Sequence, residues 1–320
     1  MPQTVTPQIV IPDDAPPVMA SSQAYRQLIA RTPVLYHDSL PGTEDRLVER
    51  IAGAEIVINI RSSTRFTESV FRRCPTLRLL SIWGTGTDNV DLAAAARHGV
   101  TVTNTPGVSA VSIAEHALAL MLAVARQIPR IDAQTRQGHW PRGAVTQLHG
   151  KTLGIIGLGA IGRQFATIAR GIGMRVIAWT MHPNLALGFP LVELDELLRQ
   201  SHVVSLHLRL SGETKGFLGA RDFAVMKPSA ILINTARGPI VDEAALIDAL
   251  RGGKIAGAGL DVYEVEPLPR ENPLVNLPNV VLTPHSAGVT PEVLEAGLQM
   301  SIDNVRDYLA GTPRHVVAVP

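Results

Sequence analysis

The 320-residue sequence has little of several features that would indicate a special class of protein. It contains one cysteine, Cys74, so no disulfide can form within the chain and the fold needs no oxidising compartment. Aromatic residues make up only 4% of the chain, so aliphatic side chains must fill most of the core. No apolar run approaches the ~18 residues of a membrane span, and the N-terminus lacks the charged-then-apolar pattern of a signal peptide. These absences predict a cytoplasmic protein.

An excess of charge of one sign is missing too. The formal net charge is +1, without a basic run or an acidic tail, which argues against a nucleic-acid or membrane partner. No group of histidines and carboxylates has the spacing of metal ligands, so no metal is expected. Hydrophobic residues make up 46% and charged residues 18%, as in ordinary globular proteins. The length favours two domains.

Short apolar runs alternate with segments of helical periodicity along most of the chain. Several runs are apolar without alternation, as expected of parallel strands covered on both faces. The predicted strands are Gln8–Ile11, Glu55–Ile60, Leu77–Trp83, Val100–Thr103, Thr152–Ile156, Met174–Trp179, Val203–Leu208, Ala230–Asn234, Ala258–Val262 and Val280–Thr283. The predicted helices include Leu92–His98, Ser109–Gln127, Ala160–Gly171, Leu191–Arg199, Asp242–Leu250 and Glu292–Ala310. This alternation predicts an α/β fold with parallel sheets and right-handed crossovers.

One predicted strand runs into a glycine-rich turn of the pattern G-x-G-x-x-G. The turn lies between the strand Thr152–Ile156 and a predicted helix, and another strand follows, which is the context that a dinucleotide-binding fingerprint requires. Gly157 allows the tight turn, Gly159 lets a pyrophosphate approach the backbone, and Gly162 lets the helix pack closely on the strand. The free N–H groups of the helix N-terminus would face the phosphates.

The next strand lacks the acidic residue that such a unit usually carries. A carboxylate there accepts hydrogen bonds from the adenosine ribose, but the strand Met174–Trp179 is followed by Thr180. A neutral threonine does not repel a 2′-phosphate, and no arginine follows to bind one. The sequence therefore leaves NAD and NADP both open as the cofactor.

Reactive side chains follow three later strands. Arg237 lies in Ile233–Gly238, carboxylates lie in Gly259–Pro267, and His285 lies in Thr283–Gly288. An arginine offers a planar fork that matches a carboxylate, and a histidine beside a carboxylate can protonate an alkoxide near neutral pH. Because ligands bind beyond the carboxyl ends of parallel strands, these groups could converge on one site. A solvated arginine and a structural histidine are the alternatives.

The chain resembles the D-isomer-specific 2-hydroxy acid dehydrogenases over nearly its whole length. The matching segments are Gly84–Asp91, Asn104–Gly107, Ser112–His116, Gly157–Gly162, Val204–His207, Asn234–Gly238, Gly259–Pro267 and Thr283–His285. The resemblance implies that Arg237 binds the substrate carboxylate and keto oxygen, that His285 is the acid/base, and that Glu266 is its partner. Asp261 would contact the nicotinamide carboxamide.

The resemblance also assigns further contacts. Those with the cofactor would be made by Thr105, Gly157, Gly159, Ala160, Ile161, Gly162, Thr180, His207, Thr235, Ala236 and Asp261. Those with the substrate would be made by Arg61, Ser62, Thr85 and Gly86. Arg61 resembles an arginine that contacts substrate in the phosphoglycerate dehydrogenase branch. The alternative is that Arg61 is an ordinary loop arginine without a role in binding.

The architecture implied by the resemblance is two Rossmann-like domains with parallel sheets. A dinucleotide-binding domain, residues 107–289, would be inserted into a smaller flavodoxin-like substrate domain, residues 1–106 and 290–320, with substrate in the cleft between them. Family members usually form homodimers through the long helix that includes Glu115–Gln127.

The expected reaction is hydride transfer between a nicotinamide cofactor and a small 2-keto or D-2-hydroxy acid. We expect no regulatory domain after the catalytic core, so reduction of glyoxylate or hydroxypyruvate is as plausible as oxidation of 3-phosphoglycerate. Glu266 argues against a formate dehydrogenase, which carries glutamine at that position. The alternative is a cofactor-sensing binding protein of the corepressor type on the same fold.

Overall fold

The computed structural model describes residues 8–183 and 188–319. The chain forms two compact units, one made of the described residues up to Ser109 together with those from Val289 onward, and the other of Ala110–Gly288. The second unit is therefore an insertion in the chain of the first. Its bounds lie three residues after and one residue before the ends predicted from the sequence, residues 107 and 289.

Twelve strands and eleven α-helices are formed by the described residues. The strands are β1 (Ile9–Ile11), β2 (Val34–Tyr36), β3 (Ile56–Asn59), β4 (Leu79–Ile82), β5 (Thr101–Thr103), β6 (Thr152–Ile156), β7 (Arg175–Trp179), β8 (Val203–Leu206), β9 (Ile231–Asn234), β10 (Gly257–Leu260), β11 (Val280–Leu282) and β12 (Val316–Ala318). The helices are α1 (Gln23–Ile29), α2 (Glu44–Ile51), α3 (Glu68–Arg73), α4 (Leu92–Arg97), α5 (Ala110–Arg126), α6 (Ile128–Arg136), α7 (Ala160–Gly171), α8 (Leu194–Gln200), α9 (Ala220–Val225), α10 (Glu243–Arg251) and α11 (Pro291–Leu309).

The first unit is built on a six-stranded sheet in the order β12-β5-β4-β3-β1-β2. All neighbours are parallel except β12, which runs antiparallel to β5. The order β2-β1-β3-β4-β5 is that of flavodoxin-like sheets. Both faces of the sheet are covered, because Val10 and Val57 pack into one apolar cluster while Ile9 and Ile56 pack into the other. The sequence prediction of a flavodoxin-like α/β unit is confirmed.

The second unit is built on a six-stranded, wholly parallel sheet in the order β11-β10-β9-β8-β6-β7. Successive residues of its central strands face opposite cores, as Ile231 and Ile233 do on one side and Leu232 on the other. Burial on both faces explains why these strands appear in the sequence as continuous apolar runs. The carboxyl ends of all six strands lie along one edge of the sheet.

Helix starts follow the sequence signals where a capping residue is present. Thr290 caps α11 by accepting a hydrogen bond from the N–H of Val293, and Pro291 occupies the first helical position. Asp242 caps α10 in the same way through the N–H of Ala245. Both arrangements supply partners to N–H groups that the helix itself leaves unpaired.

Within the described ranges, no single helix is both long and apolar enough to cross a bilayer. The pair α5 and α6, bent by 60° where they meet, passes the same criterion together, by length and composition only. Six residues of α5 are buried, and five of them pack in an apolar cluster of the second unit, which is the ordinary pattern of a core helix.

Candidate active site

The turn between β6 and α7 is built around the glycines of the fingerprint. Gly157 has a φ of +101°, and a Cβ on it would lie 2.6 Å from the carbonyl oxygen of His207. A Cβ on Gly162 would overlap the carbonyl oxygen of Gly157, so glycine allows α7 to pack directly on the end of β6. Nothing lies within 4 Å of a Cβ placed on Gly159. The backbone at Gly159 is therefore open to a bound phosphate.

The N-terminus of α7 has no side-chain cap. Gly159 occupies the cap position, where it cannot supply an oxygen, and Gly159 and Ala160 are exposed while Ile161 is half-buried. The first-turn N–H groups of a helix have no partners within it, and the helix dipole places partial positive charge there. This helix start is suited to bind an anion.

The residue beyond β7 is neutral. β7 ends at Trp179, whose carbonyl oxygen accepts a hydrogen bond of 2.8 Å from the N–H of Gly157, so Thr180 lies beside the glycine turn. Thr180 is half-buried, and His182 and Arg163 are exposed. Between β7 and Pro183 no carboxylate is present, so the ribose-binding group expected of NAD-specific sites is replaced by one hydroxyl.

His207 supports the glycine turn from the neighbouring strand. Its N–H donates to the carbonyl of Ile156 at 2.8 Å, and its Nε2 lies 2.9 Å from Oγ of Ser205. The ring meets Phe165 edge-on at 5.7 Å. Burial of the ring lowers the pKa of His207 to about 3, so the imidazole is neutral. His207 therefore offers no cation to a phosphate group.

A buried hydroxyl without a partner lies at the end of β9. Thr235 is 7% exposed, and its Oγ1 has no hydrogen-bond partner among the described residues. Leaving such a group unpaired costs about 1–3 kcal/mol, which a ligand could recover. The next residue, Ala236, is half-buried and donates its N–H to Oδ1 of Asn234 at 3.0 Å. With the open glycine turn and the uncapped helix, these features fit a nicotinamide dinucleotide.

Arg237 lies directly beyond this segment. It is half-buried in extended conformation before the short 3-10 turn Gly238–Ile240, and its Nη1 donates to the carbonyl of Ala236 at 2.8 Å. A Cβ on Gly238 would overlap the backbone carbonyl of Tyr263, so glycine is required for the loops after β9 and β10 to touch. This contact brings Arg237 towards the segment that contains Glu266.

Glu266 and His285 form a direct pair. Nδ1 of His285 lies 2.7 Å from Oε2 of Glu266, and each side chain is 35% exposed. Burial raises the pKa of Glu266, but the hydrogen bond and charge of His285, the N–H of Tyr263 and the charge of Arg237 outweigh it and hold this pKa below its usual range. The structure thus brings together the three residues that the resemblance singled out as catalytic.

Asp261 holds the segment that carries the histidine. It is fully buried, and its Oδ1 accepts hydrogen bonds from Oγ1 of Thr283 at 2.6 Å and from the N–H of Ser286 at 2.9 Å. Its Oδ2 accepts from the N–H of Ala287 at 2.9 Å. These bonds show that Asp261 fixes the loop after β11, while the contact with a nicotinamide carboxamide stays a prediction.

Sequence reasoning missed two residues of α5 that reach this loop. Oγ of Ser112 donates to the carbonyl of Ala287 at 2.7 Å, and Nε2 of His116 lies 2.9 Å from Oγ1 of Thr283. The four-residue spacing of Ser112 and His116, which places both on one helical face, was the available signal. Without the loop beside them, that spacing alone predicts no function.

The remaining candidate residues belong to the first unit. Thr105 is buried, and its Oγ1 accepts the N–H of Gly84 at 2.8 Å while its N–H donates to the carbonyl of Gly84 at 2.9 Å. These bonds fix the loop containing Thr85 and Gly86, both half-buried. Within the described residues, the N–H groups of Thr85 and Gly86 donate to no protein acceptor. Binding of the substrate carboxylate by this loop stays a prediction.

Arg61 and Ser62 differ in their surroundings. One guanidinium nitrogen of Arg61 donates to the carbonyl of Pro16 and lies 3.6 Å from a carboxylate oxygen of Asp14. The side chain is only 16% exposed, so Arg61 stabilises the fold around β1 and β3, and its role in substrate binding stays a prediction. Ser62 is exposed. In the part of the chain that the structure describes, no three residues are grouped as metal ligands.

Known proteins resemble this chain over most of its length. The family model described as "D-isomer specific 2-hydroxyacid dehydrogenase, NAD binding domain" matches residues 118–287, more than half of the chain. A glycerate dehydrogenase of Methylorubrum extorquens is 39% identical over 86% of this chain and 89% of its own length. A D-3-phosphoglycerate dehydrogenase of Methanocaldococcus jannaschii is 38% identical over 87% of this chain, but this chain spans only 54% of that relative's length.

Solved structures show the same fold over nearly the full length. An acyclic imino acid reductase in complex with NADPH and D-Arg matches with a TM-score of 0.89 and 31% identity, covering 97% of this chain and 100% of that one. An NADPH-dependent glyoxylate/hydroxypyruvate reductase of Sinorhizobium meliloti, in complex with NADP and malonate, matches with a TM-score of 0.86 and 28% identity, covering 98% and 97%.

These matches are to dehydrogenases and reductases, and none supports the alternative of a corepressor-type binding protein. The matched family model spans the glycine turn, Arg237, Glu266 and His285. The chain belongs to the D-isomer-specific 2-hydroxyacid dehydrogenase family.

Proposed function

We propose that the protein is an NAD(P)-dependent oxidoreductase that interconverts a small 2-keto acid and the matching D-2-hydroxy acid. The observation that carries the proposal is the hydrogen bond of 2.7 Å between His285 and Glu266. The positive charge of Arg237 also lowers the pKa of Glu266. All three lie in the unit that holds the dinucleotide turn. A proton donor, its carboxylate partner and a carboxylate-binding cation are what reduction of a 2-keto acid needs.

The bound reduced nicotinamide would supply the hydride to the carbonyl carbon. Arg237 would hold the substrate carboxylate and keto oxygen with its planar fork. As the carbonyl π electrons move to oxygen, Nε2 of His285 would donate its proton to that oxygen and complete the hydroxyl group. Glu266 would keep Nδ1–H in place and stabilise the imidazolium before transfer. The reverse sequence oxidises the hydroxy acid.

The first unit would supply the remaining substrate contacts. The backbone N–H groups of Thr85 and Gly86 would bind the substrate carboxylate, and Arg61 and Ser62 would contact its side chain. We assign the substrate role to residues 1–106 and 290–320 and the cofactor role to residues 107–289. Glyoxylate, hydroxypyruvate and 3-phosphohydroxypyruvate are the first substrates to test, because the relatives include a glycerate dehydrogenase and a phosphoglycerate dehydrogenase.

The assembly that we propose is a homodimer paired through α5. Val111 and Leu122 on this helix and Ile128 at the start of α6 are exposed apolar side chains, at 53%, 36% and 55%. A second copy covering them would remove this apolar surface from water. The cytoplasmic location stays a prediction from the sequence.

The test is a set of initial rates with NADH and NADPH across glyoxylate, hydroxypyruvate, pyruvate, phenylpyruvate and 3-phosphohydroxypyruvate. We expect at least one to be reduced and its product to be the D-isomer, and His285→Ala should lower the rate by about 10²- to 10⁴-fold. The proposal would be overturned if neither NADH nor NADPH were oxidised with any of these keto acids, or if the product were the L-isomer. Turnover only with added ammonium would indicate imine reduction instead, the activity named for one structural neighbour.

A further inference from the structure

The helix α5 presents two polar side chains to the loop that carries His285. Ser112, 8% exposed, donates from Oγ to the carbonyl of Ala287, and His116 contacts Oγ1 of Thr283. Residues four apart lie on the same helical face one turn from each other. One face of α5 is therefore bonded to both ends of the segment Thr283–Ala287.

The direction of the hydrogen bonds at Thr283 follows from its donor inventory. Its Oγ1 donates to Oδ1 of Asp261 at 2.6 Å, a far shorter contact than the 3.5 Å to the carbonyl of Leu260, so the single hydroxyl proton points to Asp261. The same oxygen must then accept from His116 at 2.9 Å. His116 consequently carries a hydrogen on Nε2, which also lies 3.5 Å from Asp261.

The chain of bonds continues into the backbone around the catalytic histidine. The two carboxylate oxygens of Asp261 accept hydrogen bonds from the N–H groups of Ser286 and Ala287, each at 2.9 Å. Linked hydrogen bonds in a buried setting polarise one another, and Asp261 is fully buried. His116, Thr283 and Asp261 thus form one connected support that ends on the two residues directly after His285.

His285 needs such support because its backbone is strained. Its φ is +53°, in the left-handed region, which costs a non-glycine residue on the order of 1 kcal/mol. Its N–H donates to the carbonyl of Thr283 at 3.1 Å, so displacement of Thr283 would displace the histidine as well. In this conformation the imidazole reaches Glu266.

We propose that Ser112 and His116 are positioning residues, which hold His285 in its catalytic orientation without contacting the reacting groups themselves. The inference rests on the proposed function, since it assigns His285 the role of acid. His116 acts through Thr283 and Asp261, and Ser112 acts through the carbonyl of Ala287. The alternative is that both residues only stabilise the packing of α5.

Matched substitutions separate the two roles. His116→Leu removes the donor at similar volume, whereas His116→Gln retains an N–H at a comparable distance from the backbone. Ser112→Ala and Ser112→Thr form the corresponding pair. His139→Leu, at an exposed histidine of the same unit, is the control for the change of residue type.

We expect His116→Leu to lower kcat by about 10- to 100-fold, because displacement of a catalytic group by about 1 Å can cost 100-fold. The KM for the cofactor should stay unchanged, because the glycine turn is untouched. His116→Gln should restore most of kcat. Hydrogen exchange of the Ser286 and Ala287 amides, followed by NMR without substrate, should quicken in His116→Leu and Ser112→Ala and not in His139→Leu.

The results that would overturn the inference are equally specific. A folded His116→Leu enzyme with normal kcat and normal amide protection would show that α5 does not position the loop. If His116→Leu and His116→Gln lost kcat equally, and if the only other change were a lower melting temperature, the role of His116 would be in the packing of α5 alone. If no keto acid is reduced by the wild type, the proposed function fails, whereas the amide exchange still decides whether Ser112 and His116 hold the loop.

Discussion

Replacing Glu266 with glutamine tests the acid/base assignment most directly. The substitution removes the negative charge 2.7 Å from Nδ1 of His285 and keeps the shape of the side chain. Oε1 of Glu266 also accepts the N–H of Tyr263 at 3.0 Å. A glutamine that keeps this second bond must turn its NH₂ group towards His285. Nδ1 would then have to accept a hydrogen bond, which favours the neutral imidazole.

The sign and size of the effect follow from this geometry. Reduction needs a proton on His285, and the coupling of the pair is visible in Glu266, whose pKa is lowered, despite burial, by the hydrogen bond and charge of His285. Both partners are 35% exposed, and solvent screens the pair. A pair this exposed is worth about 1 kcal/mol, so loss of the charge in Glu266→Gln should move the alkaline limb of the rate profile to lower pH.

The assay is the pH dependence of kcat/KM for the keto acid at saturating reduced cofactor. Glu264→Gln is the matched control, because this carboxylate is exposed and lies two residues earlier on the same loop. The control should reproduce the wild-type profile. An unchanged limb in Glu266→Gln, or a shift to higher pH, would contradict the assignment of Glu266 as the partner of the acid.

Two further predictions concern substrate and cofactor recognition. Arg237→Lys should lower kcat/KM strongly, since lysine lacks the planar fork that binds a carboxylate through two bonds; near-normal kcat/KM in the lysine variant would place Arg237 outside the site. The wild type should use NADH and NADPH with modest discrimination, and Thr180→Asp should shift binding towards NAD by accepting ribose hydrogen bonds and repelling the 2′-phosphate. Calorimetric titration with NAD⁺ and NADP⁺ checks this prediction. If the wild type strongly selected NAD⁺ and Thr180→Asp left that selectivity unchanged, a residue other than Thr180 would have to contact the ribose.

The second unit could be predicted from its sequence because its strands are buried on both faces. The central strands are mostly apolar runs, and polar residues follow at their carboxyl ends, as His207 does after β8 and Thr235 after β9. The fingerprint glycines are similarly visible because close backbone contacts at Gly157 and Gly162 exclude a side chain. The family resemblance then distinguished Glu266 from the neighbouring carboxylates.

Two strands of the first unit were missed. β2 and β12 have three residues each, and all six residues are half-buried or exposed, so neither shows a strong apolar run. β12 is paired with β5 from the opposite end of the chain, a contact that no local pattern indicates. Short edge strands of this kind depend on the sheet that they join rather than on their own sequence.

The supports of the site could not be derived from residue types alone. A buried aspartate after a strand is compatible with a ligand contact and with loop support, and only the positions of Thr283 and the following amides show that Asp261 fixes the loop. In the same way, the left-handed backbone of His285 has no sequence signal, because only a few per cent of non-glycine residues adopt a positive φ.

A dinucleotide that satisfied the uncapped start of α7 and the unpaired hydroxyl of Thr235 would make the stability of the second unit depend on the supply of cofactor. A dinucleotide that satisfies these groups binds only the native state, and at 100 times its Kd it adds about 2.7 kcal/mol to the free energy of unfolding. The population of transiently opened molecules, which proteases degrade, falls about 100-fold under the same conditions. The redox cofactor pool would thereby set the lifetime of this protein in the cell as well as its rate of turnover.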